Sequence, residues 1–209
     1  MKLYYHPVSP NSRKPRLVAR ELGLTIEEQL VDLLKGEQKT PEFLALNPNG
    51  KVPLLTDGDL RLWESNAICL HLAGTKPGTT LLPEDRRGRI DIARWQSWEL
   101  AHLTPAIGKL LSEKIFKKLF GRGEPDPAQV KLGEEQFQFF GAVLNGCLEG
   151  RRYLVGDKLT VADLTVAPML ALAPWVGLEP RQFKHVGAWL SRIEELDSWK
   201  STVPPKLPM

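Results

Sequence analysis

Eight consecutive residues, Asn47-Pro48-Asn49-Gly50-Lys51-Val52-Pro53-Leu54, constrain this chain more than any other stretch. A turn-forming cluster runs into a Val-Pro bond and then into an apolar strand. X-Pro bonds are the ones that populate cis readily, and a Pro at the start of a strand marks a specific local geometry. With Val52-Pro53 cis, the Val52 N–H and C=O point into a cleft, where they can pair with an extended, peptide-like ligand. Ten positions on, past a tight Asp57-Gly58-Asp59 turn, comes Glu64-Ser65 at a helix start. There a hydroxyl, backbone amides and a carboxylate face the charged end of a ligand.

The flanking patterns supply the rest of a small α/β unit. Lys2 to Tyr5 reads as a strand, and Asn11 to Leu22 as a helix with Leu17, Val18 and Leu22 on one face. Pro15 must sit where no intrahelical N–H bond is missed, which favours Ser12 or a near neighbour as N-cap. Ile26 to Leu34 suits a second strand and Pro41 to Leu46 a short helix. Val52 to Thr56 and Leu60 to Trp63 form a hairpin, and Ser65 to Ala73 is helical. The order strand-helix-strand-helix-strand-strand-helix is thioredoxin-like. Gly74 to Thr80 is punctuated by Gly and Pro and closes on Leu81-Leu82-Pro83. The expected division is therefore a thioredoxin-like domain over 1–76, a linker over 77–83 and an all-helical bundle over 84–209.

Within the second part, Arg86 to about Leu119 is a long amphipathic stretch with a kink expected near Pro105 and Gly108. Ala128 to Leu148 follows. Thr160-Val161-Ala162-Asp163 has capping-box spacing. Val203 to Pro208 reads as an extended tail.

Composition excludes several classes. The formal charge is +3 over 209 residues, and no basic run is interleaved with aromatics, so nucleic acid is not an expected partner. No segment has the length and apolarity of a bilayer span or a signal peptide, which points to a cytoplasmic protein without membrane contact. Cys69 and Cys147 read as buried thiols. Neither His71 nor His102 has a companion at metal-ligand spacing, so no metal is expected.

A redox protein of thioredoxin-like order would carry a cysteine pair just after the first strand. This chain has Ser9-Pro10-Asn11-Ser12 there, which rules out disulfide exchange from that position. A hydroxyl at a helix N-terminus can instead donate to a ligand thiolate, with the helix end adding positive potential. Ser9 and Ser12 also fit as ordinary helix caps.

Across nearly its whole length the chain resembles the glutathione transferases, the phi class most closely, with theta and zeta as neighbours. The resemblance is carried by His6-Pro7-Val8-Ser9, Gly36 to Leu44, Asn47 to Pro53, Asp57 to Leu60 and Glu64 to Cys69. In the second half Trp98 to His102, Pro105 and Leu159 to Leu164 carry it. It implies that Ser9 is the thiolate-stabilising serine, with Ser12 a nearby hydroxyl. Gln38 and Lys39 then fall at the glycine carboxylate of glutathione, Lys51, Val52 and Pro53 at its cysteinyl backbone, and Glu64 and Ser65 at its γ-glutamyl end. The electrophile pocket is expected between the first-helix loop and the helical domain. Its candidates are Val8, Pro10, Leu34, Leu103, Ile107, Leu111 and Phe116, for each of which core packing is an equal reading.

The implied activity is conjugation of glutathione, as co-substrate, to small apolar electrophiles by a homodimer. Asn49 stands where an aromatic intersubunit key is common, so broad polar and apolar contacts are expected to hold the dimer. A glutathione-dependent isomerase and a noncatalytic ligand carrier or scaffold are the alternatives. Ser9, Lys39 and Glu64-Ser65 retained together weigh against the scaffold.

Overall fold

The computed structural model describes residues 1–205. The chain forms two compact units, Met1–Pro83 together with the segment from Glu195 onward, and Glu84–Glu194. The second unit starts at Glu84, and the segment from Glu195 onward groups with the first. Part of the expected tail, from residue 206, lies outside the described residues. Among these, no helix is long and apolar enough to cross a membrane.

The first unit is built on a four-stranded sheet in the order β2-β1-β3-β4. β1 (Lys2–Tyr5) pairs in parallel with β2 (Glu27–Leu30), placing Tyr5 opposite Leu30. β3 (Leu54–Asp57) runs antiparallel to β1 with Tyr4 opposite Leu54, and β4 (Leu60–Trp63) closes a hairpin with Leu54 opposite Trp63. The hairpin turns through Gly58, at φ +56°. β2 ends earlier than the apolar pattern suggested. The Asp32 carboxylate accepts from the N–H groups of Leu34 and Lys35 at 3.0 and 3.2 Å, and this side-chain turn competes with further strand pairing.

Helix α1 (Pro10–Glu21) begins earlier than expected, and Ser9 rather than Ser12 is its N-cap. Pro10 occupies the first helical position, where its missing N–H costs nothing. Pro15 lies inside the helix, so the cost it imposes is one unmade bond to the Asn11 carbonyl rather than the end of the helix. α1 and α3 (Ser65–Gly74) pack against each other, and Lys14 Nζ donates to Asn66 Oδ1 at 3.4 Å. The short α2 (Pro41–Leu46) is capped by Thr40, whose hydroxyl accepts from the Phe43 N–H.

Phe43 packs with Val31 and Leu54, and Tyr4, Leu33, Leu46 and Val52 close over them. The Tyr4 and Phe43 rings meet edge to face at 6.1 Å. Burying each large side chain of such a cluster contributes about 1.5–3 kcal/mol. This cluster lies where the Tyr4–Leu54 register meets the Val52-Pro53 bond, and so fixes the entry to β3.

The second unit is helical. α4 (Arg86–Trp98), capped by Asp85, passes through a π-helical turn at Glu99–Leu103 into α5 (Thr104–Leu111). A second π-helical turn, Ser112–Phe116, leads to α6 (Lys117–Leu119). The first wide turn directly precedes Pro105, whose ring would crowd a regular preceding turn and which has no N–H to give. It falls beside the position where a kink was expected, and such turns are themselves places where helices bend.

α7 (Pro127–Cys147) packs against α5 at Gly133, where an added Cβ would come within 2.8 Å of Leu110. α8 (Val161–Leu170) is buried throughout. Its Asp163 carboxylate accepts from the Thr160 N–H and hydroxyl, the Leu154 N–H and the Trp189 indole N–H at 2.9–3.1 Å. Desolvation pushes this carboxyl above the usual range, against the pull of those donors. The expected capping box is present, and it holds the 154–160 loop and α9 (Lys184–Glu194) as well as its own helix end.

Candidate active site

Sheet register brings most of the candidate residues of the first unit to one end. β1 runs toward that end and delivers His6 to Ser9, and parallel β2 delivers Val31 to Lys39. β3 starts there, immediately after Lys51-Val52-Pro53, and β4 finishes there, immediately before Glu64-Ser65. Four separate segments thus leave or enter the sheet along a single edge of strand ends. This is where α/β sheets carry ligands, because backbone groups beyond the last ladder bonds lack partners and helix N-termini collect.

Ser9 sits in a closed ring of short-range hydrogen bonds. Its N–H donates to the His6 carbonyl at 3.0 Å, and its carbonyl accepts from the Arg13 N–H at 3.1 Å. Its Oγ accepts from the Ser12 N–H at 3.2 Å. The Ser12 hydroxyl in turn accepts from the His6 N–H at 3.2 Å. A serine oxygen has one proton to donate and two lone pairs. One lone pair of Ser9 is engaged inside the loop, and its O–H is left to donate elsewhere.

Ser12 is wholly buried, so its hydroxyl reaches no ligand in this arrangement. The cap is therefore the reverse of the one expected, Ser9 instead of Ser12, while the Ser12 oxygen is taken up by a backbone donor as expected. Ser9 holds the cap position and keeps a half-exposed hydroxyl, whereas Ser12 lies inside and braces the loop. His6 is held below the usual imidazole range by burial, which outweighs the opposing pull of Asp32. Its Nδ1 accepts from the Val8 N–H at 3.4 Å, so the loop is built around a neutral ring.

Gln38 and Lys39 lie on a single 3-10 turn, Glu37–Lys39. The Gln38 amide nitrogen is 3.5 Å from the Leu33 carbonyl, and its Oε1 is buried without a hydrogen-bond partner among the described residues. Lys39 Nζ and the Gln38 carbonyl lie against Gly50. An added Cβ there would come within 2.8 and 2.9 Å of them, and φ is +57°. Gly50 is thus required on two counts, by the left-handed backbone and by the close approach of the 37–39 turn.

The turn itself is organised by Asn47. Its Nδ2 donates to the Lys51 carbonyl at 2.6 Å and its Oδ1 accepts from the Asn49 N–H at 3.1 Å. With Lys51 C=O engaged, its side chain stays exposed. Val52-Pro53 is a cis peptide, as the sequence suggested. Among the described residues the Val52 N–H and C=O make no backbone hydrogen bond.

Glu64 is the one non-glycine residue with positive φ, at +70°, among the described residues. Backbone of this kind costs about 1–3 kcal/mol and persists where surroundings enforce it, most often at ligand sites. Glu64 is exposed and its side chain makes no cap hydrogen bond to α3, whose first residue, Ser65, is buried. A helix N-terminus entered through a strained residue suits a carboxylate.

The apolar candidates divide by burial. Val8 and Pro10 flank Ser9 and are half-buried. Leu34 is 68% exposed and Phe116 38%, whereas Leu103 and Ile107 are 0% and Leu111 5% exposed. Those last three belong to the core of the helical unit and present no surface to a ligand. Sequence reasoning assigned no site role to His6, Asn47 or the buried Arg13 and Lys14. The Asn-Pro-Asn-Gly pattern signals the Asn47 turn, but no local pattern announces the others.

Comparison with known proteins agrees with this geometry. The family model "Glutathione S-transferase, N-terminal domain" matches residues 1–74, and "Glutathione S-transferase, C-terminal domain" matches residues 108–197. Glutathione S-transferase 3 of Zea mays is 36% identical over 97% of this chain and 93% of its own. The crystal structure of glutathione transferase F7 from Populus trichocarpa superposes with a TM-score of 0.86 at 29% identity, covering 96% of both chains. A structure of glutathione S-transferase-I bound with the ligand lactoylglutathione gives 0.86 at 28% identity, covering 97% of both. The chain belongs to the glutathione S-transferase family, with phi-class plant enzymes among its relatives.

Proposed function

We propose that this glutathione S-transferase binds glutathione along the strand ends of its first unit, ionises the thiol beside Ser9 and conjugates it to small apolar electrophiles. The observation that carries the reading is the convergence of the Ser9 loop, the 37–39 turn, Val52-Pro53 and the α3 N-terminus on one sheet end. Lys39, with Gln38, takes the glycine carboxylate. Val52, between Lys51 and Pro53, pairs its unengaged backbone groups with the cysteinyl residue. Glu64 takes the γ-glutamyl ammonium, and the Ser65 N–H at the start of α3 takes the neighbouring carboxylate. Ser12 serves from beneath, by holding the loop.

A thiol with a pKa near 8.5 is only a few per cent ionised at neutral pH. Lowering that value by about two units requires about 2.7 kcal/mol of preference for the thiolate. A hydrogen bond from the Ser9 O–H to a charged sulfur is worth about 1.5–3 kcal/mol. The α1 N-terminus adds about 0.3–1 kcal/mol. Together they supply most of that preference. The thiolate then forms a C–S bond with the electrophile's carbon, whose leaving group departs with the electron pair, and the protein contributes alignment. Val8 and Pro10 supply apolar surface beside the sulfur.

A homodimer in the cytoplasm completes the reading. Two-fold isologous assembly is the commonest oligomer type. Cys69 and Cys147 are both thiols, which suits a reducing compartment. Titration calorimetry tests the binding mode. Wild type binds reduced glutathione, and Lys39→Ala and Glu64→Ala each weaken it about tenfold or more, as loss of a charged hydrogen bond does. Failure to bind at millimolar glutathione would favour a noncatalytic scaffold.

A further inference from the structure

We propose that Arg13 is a positioning residue for Ser9, acting through an anchor made by Trp199 and Thr202 near the C-terminal end of the chain. The proposal rests on Ser9 being the thiolate's hydrogen-bond donor. Arg13 lies in the first turn of α1, and its N–H donates to the Ser9 carbonyl. Its side chain is 2% exposed and leads away from Ser9 to α10 (Asp197–Lys200), which packs on α1.

The guanidinium is held in three ways. Its centre lies 3.6 Å from the centroid of the Trp199 ring. Nη2 donates to the Trp199 carbonyl at 3.0 Å, and Nε donates to Thr202 Oγ1 at 3.2 Å. Thr202 is itself buried, and its hydroxyl donates to the Ser198 carbonyl at 2.8 Å.

An apolar side chain of similar size would join α1 to α10 with less desolvation, because burying a cation is costly even when it is satisfied. The planar fork adds orientation, with one face stacked and two edges hydrogen-bonded. The residues on either side point to the same use. Ser12 ties the turn to the end of β1 and Lys14 ties it to Asn66 of α3. Three consecutive buried polar residues thus fix one helical turn in three directions, and the direction of the Ser9 O–H depends on that turn. Trp199 and Thr202 lie beyond residue 197, where the family match ends, so this anchor is outside the matched domain.

Loosening the anchor shifts the first turn without removing any group that touches glutathione. Small misplacements of this kind act on the chemical step more than on binding. The test compares wild type with Thr202→Val, Arg13→Lys and Ser9→Ala. Two quantities are read, amide hydrogen exchange and the pH titration of the thiolate absorbance of bound glutathione. Thr202→Val keeps the shape of the side chain, so it guards against a fold lost in the arginine variant.

The expected result for Thr202→Val and Arg13→Lys is exchange about tenfold faster at the Ser12 and Arg13 amides, with the amides near Leu72 unchanged. The bound thiol's pKa rises in both, kcat falls about three- to tenfold and KM for glutathione moves less than about twofold. Unchanged exchange at the two amides overturns the proposal. So does faster exchange with an unmoved thiol pKa when Ser9→Ala does move it. A thiol pKa that Ser9→Ala leaves in place overturns the reading of Ser9 and the proposal with it, and is a distinct result.

Discussion

Ser9 and Ser12 differ by one helical position class and by access to solvent, and their substitution should separate two effects. Ser9→Ala removes both the cap oxygen that accepts from the Ser12 N–H and the O–H proposed to donate to the thiolate. Turnover should fall about ten- to a hundredfold through the lost bond to the thiolate, and stability by about 1 kcal/mol through the lost cap. Glutathione affinity should stay within a few-fold, since the tripeptide is held by its charged ends. Ser12→Ala strips the buried acceptor of the His6 N–H and leaves that donor unsatisfied, at a cost of about 1–3 kcal/mol. Its main signature should be a lower denaturant midpoint. Steady-state kinetics and urea melts of both variants check the pair. A larger kcat loss in Ser12→Ala than in Ser9→Ala would reverse the assignment. The two residue types and their spacing are plain in the sequence, but which one caps the helix is decided by Pro10 starting the helix and Pro15 lying inside it. Proline chemistry permits either start, and tertiary packing selects one.

At the scale of elements, α1 is held to the sheet edge by a charge cluster. Arg16 and Arg20 both donate to Glu28 of β2, at 3.0 and 2.9 Å. Burial alone pushes the Glu28 carboxyl up, but the two guanidiniums outweigh it and hold the carboxyl below its usual range. A depressed folded pKa means stability present above the unfolded value, about 4.3, and lost as pH falls through the lower folded value. Glu28→Gln should therefore cost about 1 kcal/mol at pH 7, and the gap from wild type should close on acidification below about pH 4. Thermal melts across pH 3–7 read this directly. A gap that widens in acid would contradict it. The order of strands and helices, the hairpin at Asp57-Gly58-Asp59 and the capping box at Thr160 to Asp163 were all legible, because each follows from local periodicity or turn chemistry. The early end of β2 was not, since the Asp32 turn interrupts an apolar run that otherwise reads as strand. Nor was the grouping of Glu195 onward with the first unit, which depends on Arg13 meeting Trp199 far along the chain. For Leu103, Ile107 and Leu111, apolar helical spacing cannot distinguish a pocket wall from a core, and burial decides it.

For the whole molecule, the proposed assembly is a homodimer with no aromatic key at Asn49. Light scattering at micromolar concentration should give twice the mass of the 23.5 kDa chain. A monomer mass would contradict the assembly but not the chemistry, because most residues given glutathione roles lie along one sheet end of one unit. That chemistry has its most direct test in the ultraviolet absorbance of bound thiolate. Adding glutathione to the intact protein should produce a saturable thiolate signal that titrates about two pH units below a free thiol, well developed at pH 7. Saturating glutathione with no thiolate signal until pH approaches 8.5 would contradict the account.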